Sequence, residues 1–482
     1  MVEPNPAPGD TPADSATVAD TAPTLQRADS SQFFFHHTFT RANPGRLEDF
    51  YQMDSDQLGE GSFGSVYKVK CQKTGAERAV KTMEAKALKN VQKFEREINI
   101  AKQLDHPNVV RLYETFKDNQ KIYLVMELCT GGELFDTIIE QGDAGFDECK
   151  AAMYTKQILS AICYLHAQNF CHRDVKPENF LFNHKGPDAS LKMVDFGLAC
   201  TFEKGKPMKT KAGTAYYVAP DVLSGAYDEK CDVWSAGVIC FVLVCGYPPF
   251  SGEADQQILK RVKRGFFEFK SPEWDDVSHT AKNLITQMLT FDPALRPSAE
   301  VLLLSPWLKY KASEEAAPVS KDFIKRLRNF NATSKLRKIA LTAVVQQLGD
   351  EKIEELQKTF RSLDKNGDGM LSAAEIRTGL AAQGMKVPVA FEDLLKNIDS
   401  DGSGQLDYTE FLAATVDQKH LQQREVCWGA FRSFDLDGDG KITRDELMKV
   451  LNGNRVQQAL GASKIDKMIQ DVDANGDGAI DF

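Results

Sequence analysis

Gly59-Glu60-Gly61-Ser62-Phe63-Gly64-Ser65-Val66 spaces three glycines so that a backbone can approach phosphate oxygens closely and aim its N–H groups at them. Alone, the stretch fits an ordinary turn as well as a phosphate cradle. Residues further along the chain narrow the reading. Lys81 stands fifteen residues after Val66, in the β-like run Ala79-Val80-Lys81. There it can pair the α- and β-phosphates, and a lysine in a buried strand needs a carboxylate partner. Glu97, in the helical stretch Phe94-Glu95-Arg96-Glu97-Ile98, is the candidate. Two polar segments come next, His172-Arg173-Asp174-Val175-Lys176-Pro177-Glu178-Asn179 and Asp195-Phe196-Gly197.

In this order and at this spacing the segments resemble the signature set of the eukaryotic protein kinases, over about Tyr51 to Lys309. The resemblance implies an α+β bilobal fold that transfers phosphate from ATP. It implies that Asp174 accepts the substrate hydroxyl proton, that Lys176 steadies the transferred group, and that Asn179 and Asp195 hold Mg²⁺. Lys81 orients ATP through Glu97. Gly59, Gly61, Gly64 and Val66 cover the nucleotide; Met126, Glu127 and Glu133 fall at its pocket, Met126 guarding the back. Glu133 and Glu178 also match the carboxylates that bind an arginine three residues before the phosphorylated Ser or Thr. Lys176 and Gly213-Thr214-Ala215-Tyr216-Tyr217 resemble the Ser/Thr class. Ala219-Pro220-Asp221 departs from the family's Glu, and a stretched pair with Arg296 is expected, with reduced stability. Thr210 lies where many kinases carry an activating phosphate, with Arg173 placed to bind it; an unmodified Thr210 is the equal alternative.

The full chain of 482 residues is too long for one core. Residues 1 to about 45 are rich in Pro, Ala, Asp, Thr and Ser and are expected to be disordered. Within them Arg27 alone among the arginines has a hydroxyl residue three places on, at Ser30, with Leu25 five before it; self-phosphorylation there is expected. The ten cysteines show no paired metal spacing, which suits a reducing, cytoplasmic setting. No apolar run approaches the roughly 20 residues of a bilayer span. Val2 stands where an N-myristoylation signal needs Gly. A monomer with protein substrates and no nucleic-acid partner is expected.

The net charge of −10 is unevenly spread, with 24 Asp+Glu against 16 Lys+Arg from Glu351 onward. Those acids recur at fixed spacing. Asp364, Asn366, Asp368 and Glu375 occupy positions 1, 3, 5 and 12 of a loop with Gly369 at position 6. Asp399, Asp401, Ser403 and Glu410 repeat the placement, as do Asp435, Asp437, Asp439 and Glu446. Met370, Gln405 and Lys441 fall at position 7, where the backbone carbonyl is the ligand. A hard cation needs six to eight oxygens, a glycine for the sharp turn and a bidentate Glu to close the shell, so these are Ca²⁺ loops. Leu371, Leu406, Ile442 and Ile480 at position 8 suit pairing of neighbouring loops by a short β-bridge. A fourth loop has Asp473, Asn475, Asp477 and Gly478 but ends at Phe482, its position 10. It is either cut short or naturally incomplete, and the first is preferred because the ten positions present follow the ligand pattern.

Between the two parts, Phe323, Leu327, Phe330 and Leu336 fall at positions 1, 5, 8 and 14 of a basic amphipathic helix within 318–348 that carries Lys325, Arg326, Arg328 and Arg337, a pattern like a calmodulin target. The whole arrangement resembles the calcium-dependent protein kinases of plants and protists: a bilobal kinase domain (51–309), an autoinhibitory junction helix (318–348) and an all-α EF-hand domain (351–416 and 424–482). That family implies a junction that blocks the substrate cleft until Ca²⁺ lets the EF-hands remodel it. A catalytically dead scaffold would have lost Lys81, Asp174 or Asp195, and none is lost. A sensor that merely buffers Ca²⁺ remains an alternative.

Overall fold

The computed structural model describes residues 40–43, 45–61, 64–84, 91–118, 120–142, 145–312, 319–320, 322–388, 391–399, 403–417, 419, 423–452, 469–470, 472–473 and 475–482. Ser30, most of the expected hinge at 314–320, and Asp401 lie outside the described residues.

Strands β1 (Arg41–Asn43), β2 (Tyr51–Gly61), β3 (Gly64–Cys71), β4 (Glu77–Glu84), β5 (Leu112–Lys117) and β6 (Lys121–Met126) form one sheet, in the order β1-β5-β6-β4-β3-β2. Helix α1 (Val91–Ala101) is inserted between β4 and β5. Gly61 pairs with Gly64 where the chain turns from β2 into β3. Only glycine fits at Gly64, since a Cβ there would lie 1.8 Å from the Thr82 carbonyl oxygen. The resulting register sets Val66 opposite Lys81, and Lys81 opposite Leu124.

The second lobe is mainly helical: α2 (Leu134–Gln141), α3 (Glu148–Ala167), α4 (Pro220–Ser224), α5 (Cys231–Cys245), α6 (Asp255–Val262), α7 (His279–Met288), α8 (Ala299–Leu303) and α9 (Pro306–Lys311). Every residue of α5 is buried, as expected of a helix that is apolar all round. The hairpin of β8 (Phe180–Phe182) and β9 (Leu191–Met193), and the short pair of β7 (Phe170–Cys171) with β10 (Cys200–Thr201), carry the catalytic segments.

The junction is two helices, α10 (Phe323–Asn331) and α11 (Lys335–Gln346), which corrects the single helix expected over 318–348. The break falls at Ala332-Thr333-Ser334. Ser334 accepts from the Arg337 N–H and so caps α11; a serine that satisfies a helix terminus in this way favours a new start over continuation. Phe323, Leu327, Phe330 and Leu336 are buried, in one core with Phe360, Phe411 and other EF-hand residues.

That core belongs to α12 (Asp350–Leu363), α13 (Ala373–Ala382), α14 (Phe391–Ile398), α15 (Tyr408–Thr415), α16 (Arg424–Phe431) and α17 (Arg444–Asn452). Leu371 pairs antiparallel with Leu406, and Ile442 with Ile480, so the position-8 residues do join the loops two by two.

Candidate active site and cation loops

The β4 lysine and the α1 carboxylate meet: Lys81 Nζ is 3.0 Å from Glu97 Oε1 and 3.5 Å from Asp195 Oδ1. Burial alone would lower the Lys81 pKa, but Glu97 and Asp195 outweigh it and hold it above the ordinary lysine value. Asp195 is likewise held low against its own burial, chiefly by Lys81. Asp195 and Arg173 sit at φ of 60° and 66°, left-handed backbone that a non-glycine residue adopts only when its surroundings enforce it. At Arg173 the enforcing group is Asp232, at the start of α5. Its carboxylate accepts the His172 and Arg173 N–H groups, each at 2.8 Å, and lies 3.0 Å from His166 Nε2.

Asp174 is surrounded by donors. The Thr214 hydroxyl donates to Oδ1 at 3.0 Å, Lys176 Nζ lies 3.3 Å from Oδ2, and the Asn179 amide reaches the Asp174 carbonyl at 2.7 Å. Asp174, Lys176 and Asn179 thus converge within one loop, with Asp195 on the neighbouring segment. Asn179 and Asp195 offer the oxygen donors that Mg²⁺ prefers, so the residues fit that ion.

Gly59 and Val66 lie on β2 and β3, and Met126 ends β6. Glu133 precedes α2, and its pKa is raised by partial burial and by Asp136 and Glu178, with Lys176 opposing. Glu178 Oε2 is buried with no hydrogen-bond partner among the described residues. An acidic pocket with an unmet acceptor suits a cationic side chain.

One expectation about the activation segment is corrected. Asp221 and Arg296 are not stretched apart: Nη2 donates to Oδ1 at 2.9 Å. The shorter side chain shows instead in Asp221 Oδ2, which is buried without a partner among the described residues, while Arg296 also donates to the carbonyls of Thr290 and Lys230. Arg173, which the resemblance offers as a phosphate ligand for Thr210, is already engaged. Its Nε donates to the Leu198 carbonyl at 2.7 Å and its Nη1 to the Tyr227 hydroxyl at 3.4 Å. The Tyr227 hydroxyl donates in turn to the Thr210 carbonyl at 2.5 Å.

In the first cation loop Asp364 accepts the Gly367 and Gly369 N–H groups, and Glu375 Oε1 accepts that of Lys365. Burial, then Asp368 and Glu375, push the Asp364 carboxyl well above the usual range; so crowded a set of acids calls for a cation. The third loop repeats the pattern, with Asp435 accepting from Gly438 and Gly440, and Glu446 from Leu436 and Asp437. Ligand oxygens of Asp435, Asp437 and Glu446 lie within 4.8 Å of one another. In the second loop Asp399 accepts from Ser403 and Gly404. In the fourth, Asp473 accepts from Gly476 and Gly478, and the Lys441 ammonium from the third loop is paired with Asp477. These donor sets are oxygen-rich and fit Ca²⁺.

Comparison with known proteins agrees with this geometry. The protein kinase domain model matches residues 52–308, and the EF-hand domain pair model matches 353–416 and 424–482. Calcium-dependent protein kinase 3 of Plasmodium berghei (strain Anka) is 47% identical over 463 residues, 95% of this chain and 83% of the relative. Calcium-dependent protein kinase 5 of Plasmodium falciparum (isolate 3D7) is 43% identical over 443 residues, 91% and 78% of the two chains. Calcium-dependent protein kinase 11 of Oryza sativa subsp. japonica is 38% identical over 467 residues, 96% and 80%. The chain belongs to the calcium-dependent protein kinases.

In this calcium-dependent protein kinase the sensor is docked on the kinase domain. The first loop lies on α3, where Ser160 Oγ is 3.5 Å from the Gly367 carbonyl. A Cβ at Gly369 would come within 2.6 Å of the Tyr164 ring, and its φ is 77°, so this glycine answers both to the cation turn and to the interface. Arg361 donates to Ser190 Oγ at 2.8 Å, and Lys358 bridges Asp188 and Glu354. Apart from Gly369, none of these docking residues, nor Asp232 or Tyr227, was singled out from the sequence. Their partners across the interface lie 170 to 207 residues away, and those of Tyr227 and Asp232 lie 17 to 66 away, so no local pattern marks them.

Proposed function

We propose that the chain is a Ca²⁺-activated serine/threonine protein kinase whose moving part is the pair of junction helices. The observation that carries this reading is the burial of Phe323, Leu327, Phe330 and Leu336 in the EF-hand core. A basic amphipathic segment held by EF-hands is the bound half of a helix-in-groove complex. In the alternative arrangement the same apolar face covers the substrate cleft and holds the enzyme off. Passage between the two requires the loops to bind cation more tightly in the arrangement described here.

Asp174 takes the hydroxyl proton, Lys176 steadies the transferred phosphoryl, and Lys81, held by Glu97, orients ATP. Asn179 and Asp195 are the residues that would hold Mg²⁺, which supplies charge neutralisation at the phosphates. Glu133 and Glu178 take an arginine three residues before the acceptor; lysine is a poorer substitute because it lacks the bidentate fork. A cytoplasmic monomer belongs to the same reading.

Phosphorylation of a peptide carrying that arginine, with Ca²⁺ and with a chelator, tests it. The expected result is labelling with Ca²⁺ and its loss in the chelator. Equal labelling in both reduces the sensor to a buffer, and no labelling in either makes the chain a scaffold.

A further inference from the structure

A buried polar chain crosses from the sensor to Glu127, the residue that follows β6. It starts in the first turn of α15, where the Thr409 N–H donates to Asp105 Oδ2 at 2.9 Å. Thr409 directly precedes Glu410, the closing position of the second cation loop. The other Asp105 oxygen faces Arg111 Nη2 at 3.7 Å, and the guanidinium lies 5.8 Å from the ring of Tyr408 in the same turn of α15. The Arg111 backbone is bound to Glu127 twice. Its N–H donates to Glu127 Oε2 at 3.1 Å, and its carbonyl accepts the Glu127 N–H at 2.9 Å. Glu127 Oε1 is 2.5 Å from Lys192 Nζ. Asp105, Glu127 and Lys192 are all buried.

Glu127 follows Met126 at the end of β6, where the chain passes from the sheet lobe toward the helical one, and the family resemblance places both residues at the adenine pocket. We propose that Asp105 and Arg111 are positioning residues for the adenine nucleotide, through which the docked sensor sets the backbone at Glu127 and so tightens nucleotide binding. This rests on the Ca²⁺-activated reading above and extends it to ATP. The physical reason is the cost of a buried carboxylate that loses a donor. When the α15 turn leaves, Asp105 loses the Thr409 N–H, its grip on Arg111 changes, and the two backbone bonds that hold Glu127 lose their support. Coupling of this kind is reciprocal, so nucleotide must favour docking by the same factor.

The test is binding of a non-hydrolysable ATP analogue to the full chain, with Ca²⁺ and with a chelator, beside peptide kinetics. In the wild type, Kd is expected to be about five- to tenfold tighter with Ca²⁺, within the usual span of coupling. Asp105→Ala and Arg111→Met in Ca²⁺ are expected to bind nucleotide as the wild type does in chelator, with kcat at saturating ATP and peptide KM within about twofold of wild type. Asp105→Asn keeps an acceptor for Thr409 but no charge for Arg111, and is expected to fall between; it also serves if the larger changes impair folding. A nucleotide Kd unchanged in all three variants would overturn the proposal, as would a uniform loss of kcat, peptide KM and thermal stability. Ca²⁺-stimulated phosphorylation with a Ca²⁺-independent nucleotide Kd would overturn this inference alone; phosphorylation indifferent to Ca²⁺ would overturn the reading beneath it as well.

Discussion

At the scale of single residues, the catalytic loop is organised around Asp174, whose two carboxylate oxygens face Thr214 and Lys176. Asp174→Asn keeps the size and removes the basic oxygen. Phosphoryl transfer is expected to fall by about 10²- to 10⁴-fold, the usual worth of a general base, while Ca²⁺ binding measured by calorimetry stays unchanged. The Tyr227 hydroxyl, between Arg173 and the Thr210 carbonyl, ties the activation segment down where a phosphate would otherwise serve. Thr210→Ala is therefore expected to keep full Ca²⁺-stimulated activity, since the bond comes from its backbone. Tyr227→Phe should lower kcat several-fold, the order expected from losing about 1 kcal/mol of hydrogen bonding. Kinetics of the two variants side by side check this, and a dead Thr210→Ala enzyme would reinstate the phosphate. The convergence of Asp174, Lys176 and Asn179 was legible because a short motif holds them, within six residues of one another. Tyr227 was not, because nothing near it in the chain names Arg173 as its partner.

At the scale of elements, the junction shows how periodicity and packing divide the work. The apolar positions Phe323, Leu327, Phe330 and Leu336 are all buried. Phe323, Leu327 and Phe330 share one face, but on a continuous helix Leu336 would stand about 220° from Phe323; the break before Ser334 is what lets it join the same core. Leu327 is fully buried at 0% exposure, and Leu327→Ala should cost about 2 to 5 kcal/mol of junction–sensor packing. Because that packing exists only in the sensor-bound arrangement, the Ca²⁺ concentration for half-activation should rise, by roughly tenfold for each 1.4 kcal/mol lost if one ion drives the switch and by less as more loops fill together, with kcat at saturating Ca²⁺ largely kept. A Ca²⁺ titration of peptide phosphorylation measures this; an unshifted midpoint would place the junction outside the switch.

At the scale of the whole molecule, the kinase and sensor share an interface built on α3, on the segment from Asp105 to Arg111, and on Ser190. A chain ending at Gly349 would keep both junction helices and lose the surface that covers their apolar face. Such a face seeks another cover, and the proposed one is the substrate cleft, so this truncated enzyme should stay inactive at every Ca²⁺ concentration; activity comparable to the intact enzyme would refute the autoinhibitory role. The amino-acid sequence alone determined the chemistry that covalent spacing enforces: the glycine cradle, the catalytic segments, and cation loops whose ligands fall within twelve positions. Each depends on neighbours in the chain, so any fold that keeps the stretch keeps its meaning. The tertiary structure alone decided which partners the remote groups meet. It set Asp232 under Arg173 of the catalytic loop across 59 residues, brought Thr409 to Asp105 across 304 residues, and buried the junction in the sensor. Those contacts follow from how large apolar surfaces pack against one another, and packing over such separations leaves no periodic trace in the chain.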